Sequence, residues 1–455
     1  MRHLLLRAVF SAAGLAVLVS GCASTAPPET SVAPPPLGSE FPRLEPADPA
    51  IILEEPQGTL LLSDALRLSL LNNPKLAVFS WEIRAREAEA LQAGRMPNPE
   101  LDAELENFAG TGAVSGFGGS ETTVALSQLV ELGGKRSDRL QLASLERDLG
   151  AWDYEERRID VLTETTAAFI AVLAAQDQLA LAEELTAVAD SLLQSIAVRV
   201  RAGASSAVEE MRARVSLETS QIDRARSVQL LSVARSRLSS MWGSAAPEFS
   251  SVSGDLGQIV DVPELEVLGG RVEASPALAR WSTELARRQA AIELANSNGV
   301  PDLSVGAGMR HFSESGDLGV VVGVSLPLPL FDRNQGTSAA AEARLVQAEH
   351  EQRNSETSVR TALKAVHAEA SASHDEIVAL RERALPHAGS AFDLVSTTYQ
   401  RGRMRLTDVF DAQRTLFELR GRLVAALARY HIAVAGIERL TGAPISGADH
   451  EPRRP

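Results

Sequence analysis

The sequence predicts a mainly α protein that also carries a membrane β-barrel, and three observations lead there. The first is an internal repeat. Asn73-Pro74-Lys75-Leu76 and Pro99-Glu100-Leu101 are answered by Ser275-Pro276-Ala277-Leu278 and Pro301-Asp302-Leu303, and both proline pairs stand 202 residues apart. The second is length. From Ser137 to Arg201 the helical pattern meets no proline and only Gly150 weakens it, so at ~1.5 Å per residue it extends roughly 100 Å, further than a compact domain requires. The third is a set of short alternating segments between the helices, apolar on one side and polar on the other, as barrel strands are.

Each half reads in the same order: a helix, two strands, a very long helix, a glycine turn and a shorter helix. Repeat 1 is placed at 59–242 and repeat 2 at 274–442, joined by a Gly/Ser/Pro-containing segment at 243–273 and followed by a tail at 443–455. In the first long helix Ile159, Leu162, Thr166, Phe169, Leu173 and Gln176 recur at spacings of three and four. In the second, a heptad-like seam runs from Val359 through Leu363, Val366, Ala370, Ser373, Ile377, Leu380 and Ala384 to His387, Ala391, Leu394 and Thr398. Such seams pack helices side by side with a slight supercoil. Pro386 falls inside the pattern and should bend that helix.

The strands alternate. Leu101, Ala103 and Leu105 point one way, while Asp102, Glu104 and Glu106 point the other. Leu303, Val305, Ala307 and Met309 oppose Asp302, Ser304 and Arg310, and Val320, Val322, Val324 and Leu326 alternate with Gly319, Val321, Gly323 and Ser325. Asp102, Glu104, Glu106 and Asp302 are the expected lumen-lining acids. Phe108, Phe117 and Phe312 are candidates for a thin interfacial girdle. One chain offers four strands, too few to close a barrel, and lipid does not tolerate an open sheet edge. The chain must therefore oligomerise. Eight strands from a dimer and twelve from a trimer both satisfy the count, and periodicity does not choose between them.

The N-terminus reads as a secretory leader over 1–21, with Arg2 and Arg7 ahead of an apolar core, Phe10 to Val19, too short to span a bilayer. It ends in Val19-Ser20-Gly21-Cys22, which resembles the lipobox of bacterial lipoproteins. That resemblance implies lipidation at Cys22, the single cysteine of the chain, and acyl chains would anchor it firmly to membrane lipid. Ala23 stands where an inner-membrane retention signal would carry Asp, which favours the outer membrane. Residues 22–58 are rich in proline and read as an extended tether. After the leader no run of 18 apolar residues occurs, so no helix is expected to cross a membrane.

The formal charge of −15 becomes −17 once the leader's two arginines are removed, a balance that disfavours nucleic acid. No catalytic triad, phosphate loop or dinucleotide motif stands out, and the chain is expected to be no enzyme and to hold no cofactor. The histidines are scattered. His367 and His374, seven apart on one helix, read as packing or solvated residues, and no metal-ligating set is expected.

Several stretches resemble the TolC-like outer-membrane factors of tripartite efflux pumps over nearly all of the mature chain. Asn98-Pro99-Glu100-Leu101, Glu106-Asn107-Phe108, Leu126-Ser127-Gln128, Glu131-Leu132-Gly133-Gly134-Lys135-Arg136 and the run from Val324 to Gly336 are similar to the CzcC-like branch, which serves heavy-metal cation pumps. The resemblance implies a homotrimer, with a twelve-stranded barrel above a periplasmic barrel of twelve helices. It implies a periplasmic adaptor and a proton-driven inner-membrane transporter of the resistance-nodulation-division type as partners. Tyr399-Gln400-Arg401-Gly402, with Asp408, Asp411, Ala412 and Gln413, is similar to the family's periplasmic tip, where inward aspartates and a tyrosine close the duct. On that basis Tyr399, Asp408 and Asp411 are the expected gate. Glu209, which answers to Asp408, joins them, and the turns at Gly203 and Gly402 are expected to dock the adaptor. Where the family's best-known tip carries arginine two residues after the glycine, this chain has Met404. Independently of the family, Asp408 and Asp411 lie three apart on one helix face, and symmetry would gather them into carboxylate rings.

The favoured function is a passive exit duct for heavy-metal cations. Export of drugs or proteins is the alternative within the same fold. A structural lipoprotein whose coils bridge the envelope layers is the alternative of a different class.

Overall fold

The computed structural model describes residues 55–445. The leader, Cys22 and most of the proposed tether lie outside the described residues. β1 (Gly58–Leu61) runs directly into α1 (Leu62–Asn72). The side chain of Asn73 accepts the N–H groups of Lys75 and Leu76, so one residue ends α1 and caps α2 (Pro74–Ala93). Pro74 opens α2 at the position where a missing N–H is tolerated. The strands β2 (Glu100–Glu106) and β3 (Glu121–Val130) lead to α3 (Lys135–Arg201), a single helix of 67 residues. A tight turn returns the chain along α4 (Ala207–Ser239).

β4 (Phe249–Ser253) pairs in parallel with β1, and α5 (Leu265–Val272) follows. Then come α6 (Pro276–Ser297), β5 (Leu303–Phe312), β6 (Leu318–Ser325) and α7 (Gln335–Ala379). A π-helical turn (Leu380–Ala384) joins α7 to α8 (Leu385–Gln400), and α9 (Leu406–Thr441) closes the fold. The order from α2 to α4 thus recurs from α6 to α9, with the second long helix interrupted where the first is continuous.

The main core lies part-way along the long helices. Phe169 and Leu173 of α3, Leu238 of α4, Ile377 of α7 and Tyr430 of α9 pack there against Leu60 and Val252 of the small β1–β4 sheet. The Gln176 amide both accepts from the Val252 N–H (2.8 Å) and donates to its carbonyl (3.0 Å), fixing β4 to α3. α3 is long and apolar enough to cross a membrane on length and composition alone. That corrects the expectation that nothing after the leader is. Its apolar residues Phe169, Ile170, Val172 and Leu173 are instead buried in this core.

The seam expected from Val359 to Thr398 holds only as far as Ala384, with Leu363, Ala370, Ser373, Ile377 and Leu380 buried and Ala384 packed against the same core. The reason is Pro386. It has no N–H for the carbonyl four residues back and its ring crowds that turn. The helix accommodates this by widening into the π turn rather than by breaking. One inserted residue rotates everything beyond it by about 100°. His387, Ala391 and Leu394 consequently face outward, Leu394 at 68% exposure, while Phe392, Val395 and Tyr399 turn in.

The second sheet is antiparallel in the order β2-β3-β5-β6. Its register aligns Asp102, Ala125, Gly308 and Val321 across the four strands, and Ala103, Val124, Met309 and Val320 beside them. One face therefore carries Asp102, Glu104, Glu106, Glu121, Thr123, Ser127 and Arg310. The other carries Leu101, Leu105, Val124, Leu126, Val305, Met309, Val320, Val322 and Val324, all exposed. Phe312 pairs with Glu121 and falls on the polar face, against Gly319, so it is no candidate for an outer girdle. Phe108 and Phe117 stack on each other in the β2–β3 loop, centroids 5.6 Å apart.

Candidate functional site

Three places draw the candidate residues together: the polar sheet face, the junction of sheet and long helices, and the far helical tip. On the sheet, Asp102, Glu104 and Glu106 occupy alternate positions of β2, as their period requires. Asp102 accepts a hydrogen bond from Ser127 Oγ (3.0 Å). Asp302 stands apart from them. It precedes β5, and its carboxylate accepts from Lys135 Nζ at 2.7 Å and from the Leu132 N–H at 3.0 Å. Burial works against its charge, but these bonds outweigh burial and hold its carboxyl below the usual range. Asp302 is thus a partner of Lys135 rather than a free acid.

Sequence reasoning missed what this junction does. Arg139 of α3 forks onto Glu131 at 2.7 and 3.2 Å and also donates to the carbonyls of Ala93 and Arg95. Glu131 and Lys135 both belong to the Glu131–Arg136 motif, so the motif's charged residues clamp strand to helix. The signal was present as a charge-rich run beside two glycines, but its partners lie up to 170 residues away.

At the tip the two turns are built alike. Gly203 (φ 71°) and Gly402 (φ 75°) both take the left-handed conformation that a side chain resists. Beyond the first, Ser206 and Glu209 exchange backbone-to-side-chain hydrogen bonds, a capping box that starts α4. Beyond the second, the Asp408 carboxylate accepts from the Arg405 N–H and guanidinium, each at 3.2 Å. Glu209 and Asp408, expected as gate acids, are therefore each engaged in starting a helix. Asp411 remains exposed, paired to Arg414 at 3.1 Å, and lines a groove of about 560 Å³ between α3, α4 and α9.

Tyr399 is buried against Ile196, Leu406 and Val409 in the tip's own small core. The Arg199 guanidinium covers its ring at 4.9 Å and donates to its carbonyl at 3.3 Å. Burial, aided by the nearby charge of Glu209, pushes its phenol above the ordinary range. Within one protomer it ties α8 to α3 and α9.

The outer membrane efflux protein family matches two stretches of the chain, 65–244 and 272–443. The cobalt-zinc-cadmium resistance protein CzcC of Cupriavidus metallidurans is 33% identical over 388 residues, 85% of this chain and 91% of CzcC. The nickel-cobalt-cadmium resistance protein NccC of Alcaligenes xylosoxydans xylosoxydans is 29% identical over 300 residues, 65% of this chain and 66% of NccC. Among solved structures, CusC superimposes with a TM-score of 0.72 at 18% identity, covering 91% of this chain and 100% of CusC. That last likeness is one of fold.

Proposed function

The chain belongs to the outer membrane efflux protein family, and from that premise we propose that three copies form a passive exit duct for divalent heavy-metal cations in the outer membrane. The observation that carries the reading is the four-stranded sheet, acidic on one face, apolar on the other and unpaired at both edges. Unpaired edges have no partner in lipid, so β6 of one copy pairs with β2 of the next until the barrel closes. The apolar face then meets lipid, and Asp102, Glu104 and Glu106 line the water-filled lumen, where they favour cations.

The helices support the same assembly. α4 exposes Val208, Met211, Val215 and Ile222 at helical spacing, and the π turn presents Ala391 and Leu394 of α8 outward. These two stripes meet between neighbouring copies and close a periplasmic barrel of helices. Its tips at Gly203 and Gly402 dock a periplasmic adaptor, which couples the duct to an inner-membrane transporter of the resistance-nodulation-division type. The gate lies at this tip. Asp411 is its axial acid, because Glu209 and Asp408 are held as helix caps and Tyr399 braces the helices behind them. Cys22 carries the lipid, and residues 22–58 tether it to β1. Conduction involves no bond making, so the chain acts without catalysis or cofactor.

The relatives named for cobalt, zinc, nickel and cadmium resistance support cations as cargo. Deleting the gene tests this. Growth should become sensitive to zinc, cobalt, cadmium or nickel while tolerance of dyes and detergents holds. Unchanged metal tolerance beside marked dye sensitivity would overturn the choice of cargo.

A further inference from the structure

Arg310 is the single lysine or arginine in the four strands of the large sheet. It lies on the acidic face, near the end away from the long helices, where the loops after β2 and β5 begin. Each of its nitrogen donors is engaged. Nε donates to Thr123 Oγ1 (2.8 Å), one Nη to Glu121 Oε2 (2.9 Å), and the other Nη meets Glu106 Oε2 (3.1 Å). Glu106 and Glu121 are registered directly opposite each other on β2 and β3. Like charges so placed repel, and two carboxylates facing across a strand pair also offer paired oxygen ligands to a divalent cation such as zinc. Arg310, diagonal to both, bridges them with its planar, pre-organised fork. Asn107 Nδ2 donates to the second oxygen of Glu121 (3.1 Å) and completes the cluster. Glu104 lies one step toward the helices, in the same register row as Thr123 and Arg310.

We infer that Arg310 is a built-in counter-cation that occupies the Glu106–Glu121 carboxylate pair and so keeps the outer mouth of the duct from retaining the divalent ions passing through it. The inference rests on the channel reading above, in which this face lines the lumen. A duct must bind its cargo weakly enough to release it. With Arg310 in place the cluster of Glu106, Glu121 and Arg310 carries one net negative charge per copy. Without it there would be two, on carboxylates already opposed. The cluster is a specificity determinant: it allows cations to approach and withholds the second ligand that would hold them.

The test uses the purified full-length protein in planar bilayers, with zinc chloride added on the loop side. In Arg310→Gln, half-block of the current should need on the order of tenfold less zinc than in wild type, equivalent to about 1.4 kcal/mol. Arg310→Gln combined with Glu121→Gln should return the block to the wild-type range. Glu121→Gln alone, which leaves Arg310 and Glu106 as a neutral pair, should lower cation selectivity without raising zinc sensitivity, and it serves if Arg310→Gln fails to assemble. A conducting wild type whose zinc block is unchanged by Arg310→Gln, or whose selectivity is unchanged by Glu121→Gln, overturns this inference and leaves the channel reading standing. A wild type that forms no conducting pore removes the channel reading, and the inference with it.

Discussion

Lys135 reaches Asp302 at 2.7 Å with its side chain only 9% exposed, so the pair sits where water screens it little. Removing one partner leaves the other charge uncompensated. Lys135→Met should therefore lower stability by about 2–4 kcal/mol, read as an earlier thermal unfolding in detergent. The pH dependence has a definite sign. Asp302 has a folded-state carboxyl below its ordinary value, so its contribution is complete above the ordinary carboxylate range and is lost as pH falls through the lowered value. The gap between wild type and Lys135→Met should be full at neutral pH and close below about pH 3.9. A gap that persists unchanged into strong acid would show that packing, not the ion pair, separates them. The sequence displays Lys135 and Asp302 as unrelated charges 167 residues apart, which is why Asp302 reads there as a lumen acid.

At the scale of elements, what local pattern controls was legible and what distant contacts control was not. Alternation along β2 separates Asp102, Glu104 and Glu106 from Leu101, Ala103 and Leu105, and along β5 it sets Arg310 opposite Val305, Ala307 and Met309, because the pleat enforces a period of two. The long helices followed from the absence of proline, and both tip turns from their glycines. The slip in the second seam was not legible. Pro386 announced a disturbance, but whether a helix bends or widens depends on which face its neighbours fill, and here they fill the one bearing Tyr399. The capping duty of Glu209 is legible in the Ser206-to-Glu209 spacing, whereas that of Asp408 is not, because Arg405 stands where a capping box carries Ser or Thr. The π turn yields a prediction of its own. Deleting Arg383 should restore an α-helical turn, rotate Leu394 inward and Tyr399 outward, and destabilise the tip by about 3 kcal/mol or more. Pro386→Ala, which returns an N–H and removes the ring but leaves the register unchanged, should change stability by less than about 1 kcal/mol. A deletion variant that melts with wild type would mean that the tip core does not depend on this register.

For the whole molecule the proposal depends on assembly, because one chain holds a sheet with two free edges and helices with unpartnered apolar stripes. Val215→Asp places a charge in the stripe of α4 and should shift the protein from trimer to monomer in cross-linking or native mass measurements, with the protomer's helical content retained. An unaffected trimer would place the contact on another face. Cys22→Ser should leave the trimer in the outer membrane, since a closed barrel holds itself in lipid. That variant also removes the single cysteine and so provides the background for the most direct test of the barrel. In it, Ala125→Cys lies on the acidic face and Val124→Cys and Val322→Cys on the apolar one. A water-soluble thiol reagent applied to outer membranes should label the cysteine at 125 and leave those at 124 and 322 unreacted until detergent is added. Equal labelling of all three positions in intact membranes would contradict a lipid-embedded barrel with an acidic lumen.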